Sequence, residues 1–451
     1  MDELYFVNIY NEKMLKETLK QISTGKEDVK KRGVVFTNEK TILNLLRLLP
    51  ENVWSNKNLK WLDPGSGVGN IMIYIFYKLM KHIAIKDIEK RRKHILEQML
   101  YFIEINKDYI TIIKQIFCSD RYKLNIHEGS FVSMNIEDDN TNIYSSYILY
   151  DIIITNPPYQ KPNKLGGSSS KPLYHLFIQR SLELLKQDGY LVAIHPFTWR
   201  RKSREIKLIN HLLNYQIHYI YTNNNFKEFN KSAIHINYYL LQKCDNIYKS
   251  KCENYFNNKY YYSELQLHNK YEFLPILLTE ETMSIIDKMQ NINTNKLTIK
   301  LESKLSSTHS AKNTNTKKDD IFQYKNYHTF SLKKNTNIYR YTKEKHPSHD
   351  KHKIIMNFKG GYNIFRPFID NGKMGITDSA LYIDTKDNLK RNSILKLFNS
   401  DLFKFILMIT SYNYAPNKKI EFHVLNTLAI ADDYKLITNE TKIINDIVTS
   451  V

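Results

Sequence analysis

Asp151-Ile152-Ile153-Ile154-Thr155-Asn156-Pro157-Pro158-Tyr159 is a short apolar run closed by two prolines. Three isoleucines bounded by such breakers predict a buried strand. Pro157 and Pro158 carry no backbone N–H, so they predict its end as well. The loop that follows offers hydrogen-bond acceptors, the Asn156 side-chain oxygen and the carbonyls beside it, and almost no donors. Tyr159 sets a flat aromatic face next to them. This combination suits a planar group with an exocyclic NH2, which needs two acceptors for its hydrogens and a ring to stack on. A proline-stiffened turn without chemistry is the plain alternative.

About ninety residues upstream stands Trp61-Leu62-Asp63-Pro64-Gly65-Ser66-Gly67-Val68-Gly69-Asn70. A strand beginning near Leu59 leads into it, and the apolar run Ile71 to Met80 that follows predicts a helix. Glycines at alternate positions permit a tight turn and close approach of a ligand to the backbone. The match to a dinucleotide fingerprint is partial. The spacing is G-x-G-x-G, and Asp63 at the strand tip would repel a pyrophosphate, so a cationic or amino-bearing ligand fits better. Two such turns, each placed where a strand passes into a helix, predict a parallel α/β fold.

The pair of motifs resembles the adenine-N6 DNA methyltransferases that use S-adenosylmethionine, and their order resembles the gamma class typical of restriction–modification systems. The resemblance covers roughly residues 30–245 with specific motifs and 350–430 more loosely. It implies a doubly wound, mostly parallel Rossmann-like α/β domain that takes S-adenosylmethionine as methyl donor. A C-terminal mixed α+β target-recognition domain is implied to follow. The expected boundaries are an N-terminal helical lead-in over 1–30, a catalytic domain over 31–245 and a recognition domain over 250–451.

Residue by residue, Arg32-Gly33-Val34-Val35-Phe36-Thr37 looks like the family's N-terminal motif, which makes Phe36 and Thr37 cofactor-binding candidates. Thr37 is also a natural N-cap for the run Glu39 to Leu49, and a helix N-terminus suits a carboxylate. Asp63, Gly65 and Gly67 match the loop around the methionine and ribose. Tyr101 to Asn106 looks like the second strand, with Glu104 as the acid that grips the ribose hydroxyls. Glu104 lies 41 residues after Asp63, and the basic stretch Lys86 to Gln98 predicts an extra helix that accounts for the length. His127-Glu128-Gly129-Ser130-Phe131 lies where the family has Gly-Asp-Phe, so Ser130 replaces the acid that accepts from the cofactor's adenine amine.

Asn156, Pro157, Pro158 and Tyr159 are implied to be catalytic, with Asn156 also beside the cofactor. The adenine N6 lone pair is delocalised into the ring, so the amine is a poor nucleophile. Acceptors at Asn156 and the Pro157 carbonyl would hold both N–H bonds and aim the lone pair at the methyl, by positioning and electrostatics. The base must leave the duplex and stack, with Tyr159 as one platform. Leu173 to Leu185 predicts a helix, Lys186 to Gly189 a turn and Tyr190 to Ile194 a buried strand. Lys231 to Tyr239 alternates like another strand. There Tyr238 is the second stacking candidate, with Phe229 and Tyr239 as rivals. Cys118, Cys244 and Cys252 lie outside any Pro-Cys setting, which excludes a cytosine-C5 mechanism.

The 451-residue chain holds 66 Lys and Arg against 46 Asp and Glu, a net charge of +20 and a pI near 9.4. Such a balance is the footprint of a phosphate-binding protein, although an A+T-rich coding bias also enriches Lys, Asn, Ile and Tyr. Residues 301–360 concentrate the charge, with 13 basic and 5 acidic side chains. Three irregularly spaced cysteines imply a reducing, cytoplasmic setting, and no apolar run reaches the ~18 residues of a membrane span. Lys161 to Lys171 reads as a basic loop and Lys304 to Asp320 as a linker. His346, His349 and His352 recur every three residues, but with Pro347 between them and no cysteine nearby they read as a basic loop, and no metal is expected. Double-stranded DNA is the expected partner, with a companion restriction endonuclease implied by the family's setting and a monomer or dimer as the unit. An RNA adenine or protein glutamine methyltransferase, or a non-catalytic DNA-binding relative, are the competing classes.

Overall fold

A computed structural model describes residues 7–24, 37–133, 148–160, 172–202, 207–223, 236–291, 296–300, 313–412, 420–431 and 433–450. Its centre is a nine-stranded sheet in the order β3-β2-β1-β4-β5-β7-β6-β8-β9. The strands are β1 (Trp61–Asp63), β2 (Leu100–Glu104), β3 (Asn125–Glu128), β4 (Tyr150–Thr155), β5 (Leu185–Pro196), β6 (Tyr215–Asn223), β7 (Ile236–Asp245), β8 (Ser250–Phe256) and β9 (Lys259–Leu265). The first five run parallel, and β7 enters antiparallel between β5 and β6. The order in which successive strands are added switches sides between β1 and β4, the point where an open α/β sheet leaves a crevice at the carboxyl ends of its strands.

The isoleucines of β4 explain its central place. Ile153 faces one core, with Leu62, Leu191 and Ile178, while Ile152 and Ile154 face the other, with Ile73, Ile113 and Val192. A strand buried on both sides reads as a continuous apolar run. One core is covered by helices α1 (Glu12–Thr24), α2 (Glu39–Leu46), α3 (Asn70–His82) and α4 (Lys107–Ile116), the last two following the turns after β1 and β2. The other is covered by α5 (Tyr174–Leu184) and the short helix Leu208–Leu213. The basic stretch after α3 does form the extra helix, Ile88–His94, which runs on into a π-helical turn, Ile95–Met99.

Several expectations are refined. Thr37 is not the N-cap of α2: Asn38 is, accepting from Thr41 N at 2.9 Å. The expected turn Lys186–Gly189 lies inside β5, where Leu185 pairs with Tyr150 and Tyr190 with Ile152. The extra residues bulge outward, with Asp188 at φ +63°. Past residue 245 the sheet continues, because β8 pairs parallel to β6 and turns back as β9 through Asn257 and Asn258, both at positive φ.

Beyond β9 the chain forms α6 (Glu280–Asn291) and two three-stranded sheets. One contains β10 (Tyr324–Ser331), β11 (Thr336–Thr342) and β14 (Gly375–Ile376); the other contains β12 (His352–Asn357), β13 (Phe368–Asn371) and β15 (Ala380–Asp384). Helices α7 (Asn388–Phe398), α8 (Asp401–Ile409) and α9 (Thr438–Thr449) follow. Their apolar side chains share a continuous core with α5 and β5. Fully buried Arg200, just past β5, joins the parts by donating to Pro275 O at 2.9 Å and Thr222 Oγ1 at 2.6 Å. In the stretch expected as a linker, Asn315 exchanges backbone hydrogen bonds with Tyr341. Lys353 and Asp370, both buried, pair at 2.6 Å between β12 and β13. Among the described residues, no helix is long and apolar enough to cross a membrane.

Candidate active site

At the carboxyl end of β1, Asp63 is 1% exposed, and the next residues turn sharply into α3. Ser66 Oγ donates to Asp63 O at 2.8 Å, and Gly69 N donates to Ser66 O at 2.8 Å. Gly67 and Gly69 take positive φ, +54° and +83°, where an L side chain is strained. A Cβ at Gly69 would come within 3.0 Å of Phe117, whereas one at Gly67 would meet nothing within 4 Å. The turn thus leaves open space above Gly67, and α3 begins there with no side-chain cap on its first N–H groups.

The end of β2 meets this turn. Glu104 accepts from Gly67 N at 2.8 Å and from Ile105 N and Asn106 N at 2.9 Å each. Burial raises its pKa, against those three N–H bonds. Burial first, and then the neighbouring Glu104, pushes Asp63 up to about 8, although the Gly65 N–H favours its charged form. Its buried Oδ1 has no hydrogen-bond partner among the described residues. Two acids sunk side by side in a low-dielectric turn are costly unless something supplies positive charge or hydroxyl donors. A sulfonium compound with an α-amino group and a ribose diol supplies both, so the donor and acceptor set fits S-adenosylmethionine.

The third strand tip is that of β4. Asn156 Nδ2 donates to Thr37 Oγ1 at 2.9 Å, and Thr37 O accepts from Asn70 Nδ2. The segment before α2, the glycine turn and the acceptor loop are therefore linked. Pro158 Cδ and the Phe177 ring lie 4.0 and 3.5 Å from where a Gly65 Cβ would stand. Tyr159 is half-buried against both cores, its carbonyl accepts from Leu173 N at 2.9 Å, and burial raises its pKa, which keeps the phenol neutral.

The structure brings Thr37, Asp63, Gly65, Gly67, Glu104 and Asn156 into one connected region at the carboxyl edge of the sheet. Ser130 lies at the tip following β3, next to Gly129, whose N–H bonds Glu104 O at 3.0 Å. Tyr238 sits on β7 opposite Ile194, one step beyond the Thr155–Ala193 pair, but it is only 6% exposed. It stacks on Tyr221 with centroids 4.7 Å apart. Its rival Tyr239 points into the other core, with its hydroxyl 3.0 Å from His195 Nε2. Phe36 and Phe229 lie outside the described residues. Asn70 escaped sequence reading; its signal was its place as the first helical residue after the glycine turn. His346 bonds Ser348 within its own loop, and among the described residues no three metal-ligating side chains come together.

Residues 70–229 match the family model described as Eco57I restriction-modification methylase. An "Uncharacterized adenine-specific methylase" of Mycoplasma pneumoniae is 25% identical over 39% of this chain and 57% of its own length. The chain thus spans little more than half of that relative. The type IIL restriction-modification enzyme MmeI, solved in complex with DNA, aligns with 90% of this chain and 70% of its own at a TM-score of 0.53 and 12% identity. A methyltransferase subunit of a type I restriction-modification system from Streptococcus thermophilus aligns with 55% of this chain and 51% of its own, at a TM-score of 0.38 and 12% identity. The central sheet is mostly parallel, and of the two three-stranded sheets toward the C-terminus one is antiparallel and one mixed.

Proposed function

We propose, from the premise that residues 70–229 form a restriction-modification methylase domain of the Eco57I type, that the protein methylates N6 of an adenine at specific sites in double-stranded DNA. The observation that carries this reading is the acceptor-rich turn after β4, locked to Thr37 through the Asn156 amide N–H and placed beside the paired acids Asp63 and Glu104.

S-adenosylmethionine, when bound, supplies an electrophilic methyl group on a sulfonium. Glu104, already oriented by three backbone N–H groups, is the acceptor for the ribose hydroxyls. Asp63 is the counter-charge for the cationic part of the molecule, and the open space over Gly67 admits it against the backbone. The Asn156 side-chain oxygen and the Pro157 carbonyl accept from the adenine amine. The bond from Asn156 Nδ2 to Thr37 fixes which way the amide oxygen turns. Tyr159 stacks on the extruded base, whose removal from the duplex costs a few kcal/mol. Tyr238 is a second wall. Catalysis here is positioning, worth several kcal/mol when the reacting atoms are held at near-attack distance.

The acceptor loop alone suits a glutamine side-chain amide as well as an adenine. The basic sheets after residue 313 favour nucleic acid. DNA is accordingly the proposed partner. The test is transfer of tritium from labelled S-adenosylmethionine to unmethylated genomic DNA, followed by nucleoside analysis. Label in N6-methyladenine is the expected result. No label in DNA, with the cofactor still bound, moves the substrate to RNA or protein.

A further inference from the structure

One strand position in the basic C-terminal region breaks its ladder. Along β10 and β11, Tyr327 pairs with Tyr339 and Thr329 with Ile338, so His328 is left over as a β-bulge. Bulges re-aim a side chain and cluster beside functional sites. The His328 ring is aimed at the loop after β14, with Nδ1 2.9 Å from Thr377 Oγ1. Asp378 follows, and its carboxylate accepts from Lys359 Nζ at 3.3 Å. Arg340 of β11 stands opposite Asn326, two positions before the bulge, and its charge and that of Lys359 both disfavour a proton on His328. Burial, then Arg340, holds His328 below the usual histidine pKa, with Asp378 opposing and Lys359 adding to the depression.

The group is firmly built beneath and open above. Thr377 is fully buried, Asn357 is buried and donates to Lys359 O at 3.0 Å, and Phe358 N donates to Ser379 O at 2.7 Å. Gly360 takes φ +96°, and a Cβ there would fall 2.2 Å from Ile364, so the loop accepts only glycine at that point. By contrast, the Lys359 and Asp378 side chains keep 49% and 35% of their surface. The loop is also tied toward the catalytic edge. Phe358 O accepts from Ile420 N at 3.0 Å, and Glu421, next in the chain, pairs at 3.0 Å with Arg201, five residues past β5. Phe358 and Tyr159 pack against the same core.

The chemistry of the group selects its ligand. Cations alone would suit a phosphate, but the Asp378 carboxylate paired with Lys359 repels one. A mixed set of two cations, one acceptor and one neutral imidazole matches the alternating donors and acceptors of base edges in the major groove. We infer that His328, Asp378, Lys359 and Arg340 form a base-reading element that contacts target-site base pairs flanking the methylated adenine. This rests on the reading of the chain as a DNA adenine methyltransferase.

The test maps N6-methyladenine by sequencing after full-length wild-type, His328→Ala, Asp378→Asn and Lys359→Ala proteins have acted on unmethylated bacterial genomic DNA. The expected result is one methylated motif for wild type. His328→Ala and Asp378→Asn should relax discrimination at one or two positions of that motif by roughly 5- to 150-fold, with S-adenosylmethionine affinity retained. An unchanged motif in both variants overturns the inference, as does a uniform loss at all sites with a shallower salt dependence, the mark of a phosphate contact. If His328→Ala does not fold, Asp378→Asn at its half-exposed position carries the test alone. A wild type that binds the cofactor yet marks no DNA overturns the proposed function instead, and this inference with it.

Discussion

Asn156 Nδ2 and Thr37 Oγ1 meet at 2.9 Å across 119 residues of chain. The contact turns a flexible amide into an oriented one. A hydrogen bond of this kind is worth about 1 kcal/mol net, roughly a fivefold change in rate. Thr37→Val should therefore lower kcat about fivefold, and Thr37→Ser should restore most of it. Equal rates for all three proteins in single-turnover methylation would detach Thr37 from the amide's orientation.

Asn156→Ala removes the oxygen proposed to accept from the target amine. Loss of one preorganised polar group at a reacting centre costs ~10²–10³-fold in rate. Calorimetry should find S-adenosylmethionine binding little changed, while tritium transfer falls to background. Full activity in this variant would sink the mechanism.

Tyr159 and Tyr238 should fail in different ways. Tyr159→Ala should weaken capture of the extruded base by ~1–3 kcal/mol, the usual value for base–aromatic stacking, and lower the fluorescence gain of a 2-aminopurine placed at the target. Tyr238 is stacked on Tyr221 and almost fully buried. Its truncation to alanine should chiefly reduce stability, by about 3–5 kcal/mol as for other buried aromatics. Unchanged melting of Tyr238→Ala would show that its packing is dispensable.

The acids beneath the glycine turn predict a pH dependence. Asp63 is pushed up to about 8 in the folded protein and titrates near 3.8 when unfolded. Between those values the folded state holds a proton that the unfolded chain has released. Stability from this group is therefore lost as pH rises from about 4 to 8. Asp63→Asn removes the loss, so at pH 9 without cofactor its Tm should exceed wild type by about 2 °C or more, while its cofactor affinity falls. A Tm difference equal at pH 5 and pH 9 would refute this account.

Lys353 and Asp370 form an ion pair with side-chain exposures of 0% and 2%. Removing one partner strands a buried charge, so Lys353→Met alone should cost about 3–5 kcal/mol, whereas Lys353→Met with Asp370→Leu should be far milder. Thermal melts of the two proteins give the comparison. Equal losses would mean that the pair itself, not the orphaned charge, stabilises β12 and β13.

Legibility followed burial and local backbone chemistry. The isoleucines of β4 and the prolines after them announced a central strand and its end, and the spaced glycines announced the turn into α3. Thr37 was placed beside the site for a family reason, but the capping role belongs to Asn38, directly before the first helical residue, while the Thr37 hydroxyl accepts from Asn156 119 residues away. No local pattern carries such a contact. The hairpin of β8 and β9 escaped reading because Asn257-Asn258 is a weaker signal than Asn-Gly, although both residues adopt the positive φ such a turn demands. The bulge at His328 is set by register between strands, which sequence order does not contain.

The continuation of the sheet through β8 and β9 bears on how such a protein could be given a new target. A chimaera joined near residue 245 would strip two strands from the large sheet and leave β6 with an open edge able to pair with another chain. The workable crossover lies after Leu265, in the stretch leading to α6. The same joint marks where grafted recognition segments from a different parent would have to meet Arg200 and the carbonyl of Pro275 in register.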